Sequence, residues 1–275
     1  MNLSLKLIDA HAHLNFAAFD ADREEVLKRA LEAGVGCINI GTQKVTSKKA
    51  VEIAERNDGM FAAVGMHPIH AGEHFHDADE VAEEEEESGV FDADFYKSLA
   101  RHDKVVAIGE CGLDYFHVKK EEDKIKQQDI FRRQIELSLE IKKPLIIHCR
   151  DAHEDLLNIL RDYPGVKADM HFFGGAGSWE NVSKYLDLGF YLSFTGVVTF
   201  AKYAHHDDIR LLPLERILIE TDSPYAAPEP YRGKRNEPRY VIEVAKKIAE
   251  LRGVPFEKMC EIFAQNFKNL FHINI

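Results

Sequence analysis

Short apolar, β-branched runs recur along the chain at 6–9, 37–40, 61–65, 105–109, 145–149, 168–172, 190–194 and 217–221. Between most of them the apolar positions return every three to four residues, the period of a helix with one buried face. The spacing predicts helices over 23–32, 45–56, 94–101, 125–142, 154–162, 179–188, 240–252 and 256–270. In the first of these, Val26, Leu27, Ala30 and Leu31 form the stripe and Gly34 supplies the stop. Eight strands alternating with helices predict an α/β fold, a (β/α)8 TIM barrel, rather than an open sheet. At 275 residues the chain fits one such barrel as a single domain over 1–275, and it shows no internal repeat.

Composition narrows the class without changing that picture. Hydrophobic residues make up 45% and charged residues 30%, enough apolar material for a sizeable core. There is no basic segment leading into an apolar signal stretch and no apolar run of membrane-spanning length, so a soluble, cytoplasmic protein is expected. Cys37, Cys111, Cys149 and Cys260 are scattered without a Cys-x-x-Cys pair, which suits reduced thiols. The net charge of −12 is unevenly spread. From Glu73 to Asp94 there are eleven acidic residues and no Lys or Arg; taking them from the 47 acidic residues leaves 36 against 35 basic. The stretch around 74–89, with Glu83 to Glu87 in a row, reads as an acidic insertion, a solvated loop or frayed helix that could also restrict access to the catalytic face. The near-neutral remainder leaves a polyanionic partner open.

The chemistry lies at the strand ends. His11 and His13 close the first run; strand side chains alternate, so residues two apart share a face and can grip one ion. His67 follows the third run, Glu110 the fourth, His148 lies in the fifth, His171 in the sixth, and Asp222 follows the eighth. Catalytic groups of (β/α)8 barrels gather at this rim. One histidine there has a bland explanation as a hydrogen-bonded core group, but six imidazoles and carboxylates converging would be poorly solvated without a cation. The arrangement suggests two divalent ions: His11, His13 and Asp222 holding one, His148 and His171 the other, with Glu110 bridging. Such a centre activates water for attack at phosphorus, with Asp222 orienting that water or accepting its proton. The imidazoles favour Zn, Mn, Fe or Ni, whereas Mg prefers oxygen ligands.

Seven ordered motifs carry a family resemblance: Asp9-Ala10-His11-Ala12-His13-Leu14, Gly65-Met66-His67-Pro68, Gly109-Glu110-Cys111-Gly112-Leu113-Asp114-Tyr115, Ile147-His148-Cys149-Arg150-Asp151-Ala152, His171-Phe172-Phe173-Gly174-Gly175, Glu220-Thr221-Asp222-Ser223-Pro224-Tyr225 and Arg232-Gly233-Lys234-Arg235-Asn236-Glu237-Pro238. Through them the chain resembles the TatD family of metal-dependent deoxyribonucleases, among the amidohydrolase-like barrels. The resemblance implies a hydrolase of DNA phosphodiesters supported by Mg, acting as a 3′–5′ exonuclease on single strands, with RNA as a further substrate class. It also implies that His11, His13, Glu110, His148, His171 and Asp222 occupy the metal-ligand positions. Glu110 stands where many dinuclear relatives carry a carboxylated lysine, which argues against the readings built on that modified residue. Asn269 departs from the family's frequent arginine.

Substrate contacts are expected from His67, Arg150 and Arg235, with Arg232 and Lys234 nearby, and stacking on unpaired bases from Phe172, Phe173, Tyr225 or Tyr231. The alternative function is a barrel metallohydrolase of a small phosphoester, amide or lactone, which predicts a narrow pocket and no oligonucleotide cleavage.

Overall fold

The computed structural model describes residues 5–72, 77–81, 89–174 and 178–273. Eight parallel strands follow one another in chain order around a single sheet: β1 (Leu7–Ala12), β2 (Val35–Ile40), β3 (Met60–Val64), β4 (Val105–Asp114), β5 (Leu145–Arg150), β6 (Ala168–Met170), β7 (Tyr191–Phe194) and β8 (Ile217–Ile219). The seam between last and first strand is stitched just past β8: Ala12 bridges Ser223, the Asp222 N–H donates to the His11 carbonyl and the His13 N–H to the Ser223 carbonyl, both at 2.8 Å. The result is the (β/α)8 barrel expected from the alternation.

Helices α1 (Arg23–Glu32), α2 (Lys44–Arg56), α3 (Ala93–Ala100), α4 (Glu121–Ile141), α5 (His153–Arg161), α6 (Val182–Asp187), α7 (His206–Leu211), α8 (Val241–Arg252) and α9 (Phe256–Phe271) connect and close the strands. The α1 stripe buries Val26, Leu27 and Ala30. α4 starts four residues before its apolar period becomes visible, because Glu121, Glu122 and Asp123 form an acidic first turn that suits a helix N-terminus. α7 has no counterpart in the periodicity: it is His-Asp-Asp-Ile-Arg-Leu, six residues with only Ile209 buried, too short and polar to show a repeat. The segment expected as one helix over 179–188 is a 3-10 turn at Trp179–Asn181 followed by α6.

Every residue of β1, β2 and β4 is buried. That is the signature of parallel strands covered on both faces. A smaller apolar cluster joins Ile8, Ile38, Ile146 and Leu218 of the strands to Phe267, Leu270 and Phe271 of α9.

β4 is the strand that departs furthest from the sequence expectation. It runs to Asp114, five residues beyond the apolar run, and its pairing with β5 slips between Ile108 and Cys111. Such a bulge re-aims the side chains beside it. The Glu110 N–H is thereby turned to the Gly41 carbonyl at the end of β2, at 2.8 Å. The chain passes so close over β3 that a Cβ on Gly65 would sit 2.8 Å from the Gly109 carbonyl carbon, and one on Gly112 would sit 2.0 Å from the His148 carbonyl oxygen. Two glycines of the quoted motifs are thus close-approach positions. Most of the acidic insertion at 74–89 lies outside the described residues; of the described part, 77–81 is bonded to the Ala17 and Ala18 N–H groups after β1 and lines the cavity at the strand ends with Asp77 and Glu80.

Candidate metal centre

The strand ends enclose a cavity of about 550 Å³, lined by His13, His67, Glu110, His148, His171 and Asp222 among others. A volume of this order suits a nucleotide-sized ligand. His11 lies beneath the cavity floor, fully buried.

Glu110 is the hub. Its Oε2 faces His11 Nε2 at 3.4 Å and His13 Nε2 at 3.9 Å, while its Oε1 faces His148 Nδ1 at 3.1 Å and His67 Nε2 at 3.3 Å. Asp222 Oδ1 closes the first group, 3.4 Å from His13 Nε2 and 3.7 Å from His11 Nε2. His171 Nε2 stands between the groups, 3.9 Å from both Glu110 Oε1 and Asp222 Oδ1, and its ring stacks on His11 with centroids 3.5 Å apart. Ligand atoms about 2.0 to 2.1 Å from a tetrahedral ion lie roughly 3.4 Å from one another. The separations in both groups are close to that value.

The protonation pattern fits a cation. His13 Nδ1–H donates to the Ile40 carbonyl at 3.0 Å, which leaves the Nε2 lone pair facing inward. That lone pair meets His11 Nε2 at 3.0 Å, so two imidazoles point at one spot and only one proton can lie between them. Burial and the neighbouring His171 push the His11 imidazole down to about 4, toward the neutral form a metal needs. Burial opposes ionisation of Glu110, yet the surrounding His67 and His11 imidazoles and the bonds from His11 and His148 hold it well below the usual carboxylate range. Against burial, the bonds to Asp114 and Glu110 push His148 up to about 9, and Glu220 with Glu110 and Asp222 pushes His171 up to about 10. Without a metal, those two imidazolium groups neutralise the carboxylates, a task a divalent cation takes over when it displaces their protons.

Outer partners orient the imidazoles. Asp114, buried at the end of β4, accepts from His148 Nε2–H at 3.0 Å and from His117 Nδ1–H at 2.8 Å. Glu220 sits 3.0 Å from His171 Nδ1 and accepts the Phe172 N–H at 2.7 Å, holding Phe172 at a φ of 50°. From α4, Gln134 accepts the Met66 N–H and donates to the Met66 carbonyl, both at 2.9 Å, so the turn carrying His67 is clamped from outside. One helical face further along, Gln127 accepts the Asp114 N–H at 2.9 Å.

With this site in view, comparison with known proteins decides the family. The family model for TatD related DNase matches residues 8–272. The chain belongs to the TatD-related DNase family. A Bacillus subtilis (strain 168) member, named uncharacterized metal-dependent hydrolase YabD, is 42% identical, covering 98% of this chain and all of the relative. A Pantoea ananatis (strain LMG 20103) member, named 3′-5′ ssDNA/RNA exonuclease TatD, is 33% identical over 96% of this chain and 99% of its own length. The crystal structure of YJJV, a TatD homolog from Escherichia coli k12, superposes with a TM-score of 0.82 at 28% identity, covering 98% and 99% of the two chains.

In this TatD-family barrel the six expected ligand residues do converge. His67, expected as a substrate contact, lines the cavity and also lies beside Glu110 Oε1, closer than His171; the sequence places it on the rim but cannot give its direction. Arg150 lines the cavity, whereas Arg235 donates to the Ala18 carbonyl at 2.7 Å and to Asp22 at 2.6 Å, away from it. Of the four aromatics expected to stack on bases, Phe172, Tyr225 and the largely buried Phe173 line the cavity, and Tyr231 stacks on Tyr240 at 3.8 Å. Asp114, Glu220, Gln127 and Gln134 went unassigned in the sequence; buried polar positions seven apart on α4 are the signal that marks the glutamines.

Proposed function

We propose that this TatD-family metal-dependent hydrolase cleaves nucleic-acid phosphodiesters as a 3′–5′ exonuclease on single-stranded DNA or RNA, using two divalent ions in one barrel domain. The observation that carries the proposal is Glu110 between two donor groups, His11 and His13 on one oxygen with Asp222 closing that group, and His148 and His67 on the other, with His171 at their junction. When bound there, divalent cations neutralise phosphate charge and make water acidic enough to serve as a nucleophile. The nuclease name of the Pantoea relative supports the substrate class.

The chain's own groups have definable tasks in that reaction. Asp222, ionised and facing the cavity, orients the attacking water and accepts its proton. Arg150 binds non-bridging phosphate oxygens with a planar set of donors. Asp114 and Glu220 hold His148 and His171 in fixed orientations, so the donor set is built before substrate arrives.

The deciding experiment titrates Mg, Mn and Zn into the purified protein with single- and double-stranded oligonucleotides labelled at the 5′ end. The expected result is a ladder shortening from the 3′ end of the single strand, abolished in Glu110→Ala. Absence of cleavage with every ion, alongside hydrolysis of a small phosphoester or lactone, would overturn it.

A further inference from the structure

Between β4 and α4 the chain turns through 115–120, Tyr-Phe-His-Val-Lys-Lys, three rings followed closely by two lysines and no acid, in a protein of net charge −12. Phe116 is 46% exposed in that turn, next to the catalytic cavity rather than on a remote face. Its ring lies against the guanidinium of Arg150, whose central carbon is 3.6 Å from the ring centroid, and meets the His117 ring edge-on at 5.0 Å. Both Arg150 and His117 line the cavity. The Arg150 guanidinium makes no hydrogen bond or ion pair with any described residue, so its N–H groups are available to a ligand. By contrast, Arg235 and Arg239 use theirs on Asp22 and Glu237.

The part of the cavity lining beside residues 77–81 has the other sign. Asp77 and Glu80 line it, with Asp77 accepting from Tyr225 at 2.9 Å and Glu80 accepting from Gln43 at 2.7 Å. A polyanionic strand leaving the metal centre is repelled from that side and drawn toward Arg150, Lys119 and Lys120.

We propose that Phe116 and Arg150 form a nucleotide subsite flanking the metal centre, with an unpaired base lying on the Phe116 ring and a phosphate on the Arg150 guanidinium. This rests on the nuclease reading above and deepens it by naming where the strand runs. An exposed ring beside a free guanidinium suits single-stranded nucleic acid because every base offers a π-face and every linkage an anion, whatever the sequence. A duplex keeps its bases stacked on each other and cannot use the ring, so the subsite selects for unpaired ends.

The test uses metal-loaded wild type, Phe116→Ala and Phe116→Trp, and a short phosphorothioate-protected single strand carrying one abasic sugar moved through each of the 3′-terminal positions. At one position the wild type should lose about tenfold in affinity when the base is removed. Phe116→Ala should bind the intact and abasic strands alike, at the weaker level. Phe116→Trp should restore the discrimination, with its indole fluorescence quenched by the intact strand alone. Thermal unfolding of each variant separates lost stacking from misfolding. If Phe116→Ala discriminates as the wild type does at every position, or the indole is not quenched, the subsite is wrong while the nuclease reading stands. If the wild type neither binds nor cleaves any strand, the nuclease reading falls and this subsite with it.

Discussion

Asp222 faces two ways at once, lying 3.4 Å from His13 Nε2 while lining the cavity at the strand ends. Its φ of 55° is in the left-handed region, which aspartate tolerates better than most residues, and its N–H is tied to the His11 carbonyl across the barrel seam. Asp222→Asn keeps the shape and removes the base. At saturating metal, single-turnover cleavage should fall by about a hundredfold or more while strand affinity changes by only a few-fold. Comparable losses in both would assign Asp222 to binding instead. The residue types of the centre were readable in the sequence, because histidines and carboxylates at strand ends stand out. The pairing was not, since direction depends on backbone detail such as the β4 bulge that turns Glu110 toward β2.

At the scale of elements, α4 shows how a helix supports a site it does not enter. Gln134 is fully buried and spends both its amide groups on Met66. Gln134→Leu leaves a buried N–H and carbonyl unpaired, and chemical denaturation should report a loss of about 2 to 3 kcal/mol, accompanied by weaker metal binding through the displaced His67 turn. The strap at 77–81 makes a pH-dependent contribution. Glu80 is 6% exposed and accepts from Thr42, Gln43 and His70. Burial opposes its charge, yet those bonds and the His70 charge hold it down to about 2, from an ordinary 4.5. A depressed carboxylate stabilises the fold above its unfolded value, and the gain is lost as pH falls from about 4.5 to about 2. Stability of the wild type should therefore drop by up to about 3 kcal/mol across that window relative to Glu80→Gln, read by urea midpoints at matched pH. Parallel curves for the two proteins would show that Glu80 carries no such linkage.

For the whole molecule, the position of the candidate centre predicts that cations and fold are coupled. Its candidate ligands come from β1, β4, β5 and the turns after β3, β6 and β8, so an ion bound there would tie most of the barrel's circumference together. Chelation should lower the unfolding temperature, and re-addition of metal at about a hundred times its dissociation constant should restore about 2.7 kcal/mol per ion. Elemental analysis before chelation would identify the native ion, and an unchanged melting curve would contradict a preformed centre. The sequence alone determined the eight strands, most of the helices and the gathering of six histidines and carboxylates at the strand ends, because hydrophobic period and residue chemistry are local properties that survive without a fold. It could not determine that His67 turns inward beside Glu110, that Arg235 is consumed by Asp22, that Gln134 clamps Met66, or that Phe116 lies against the Arg150 guanidinium. Those outcomes depend on which strand ends meet across the barrel and on where a bulge aims a side chain, distances that exist only once the eight strands close.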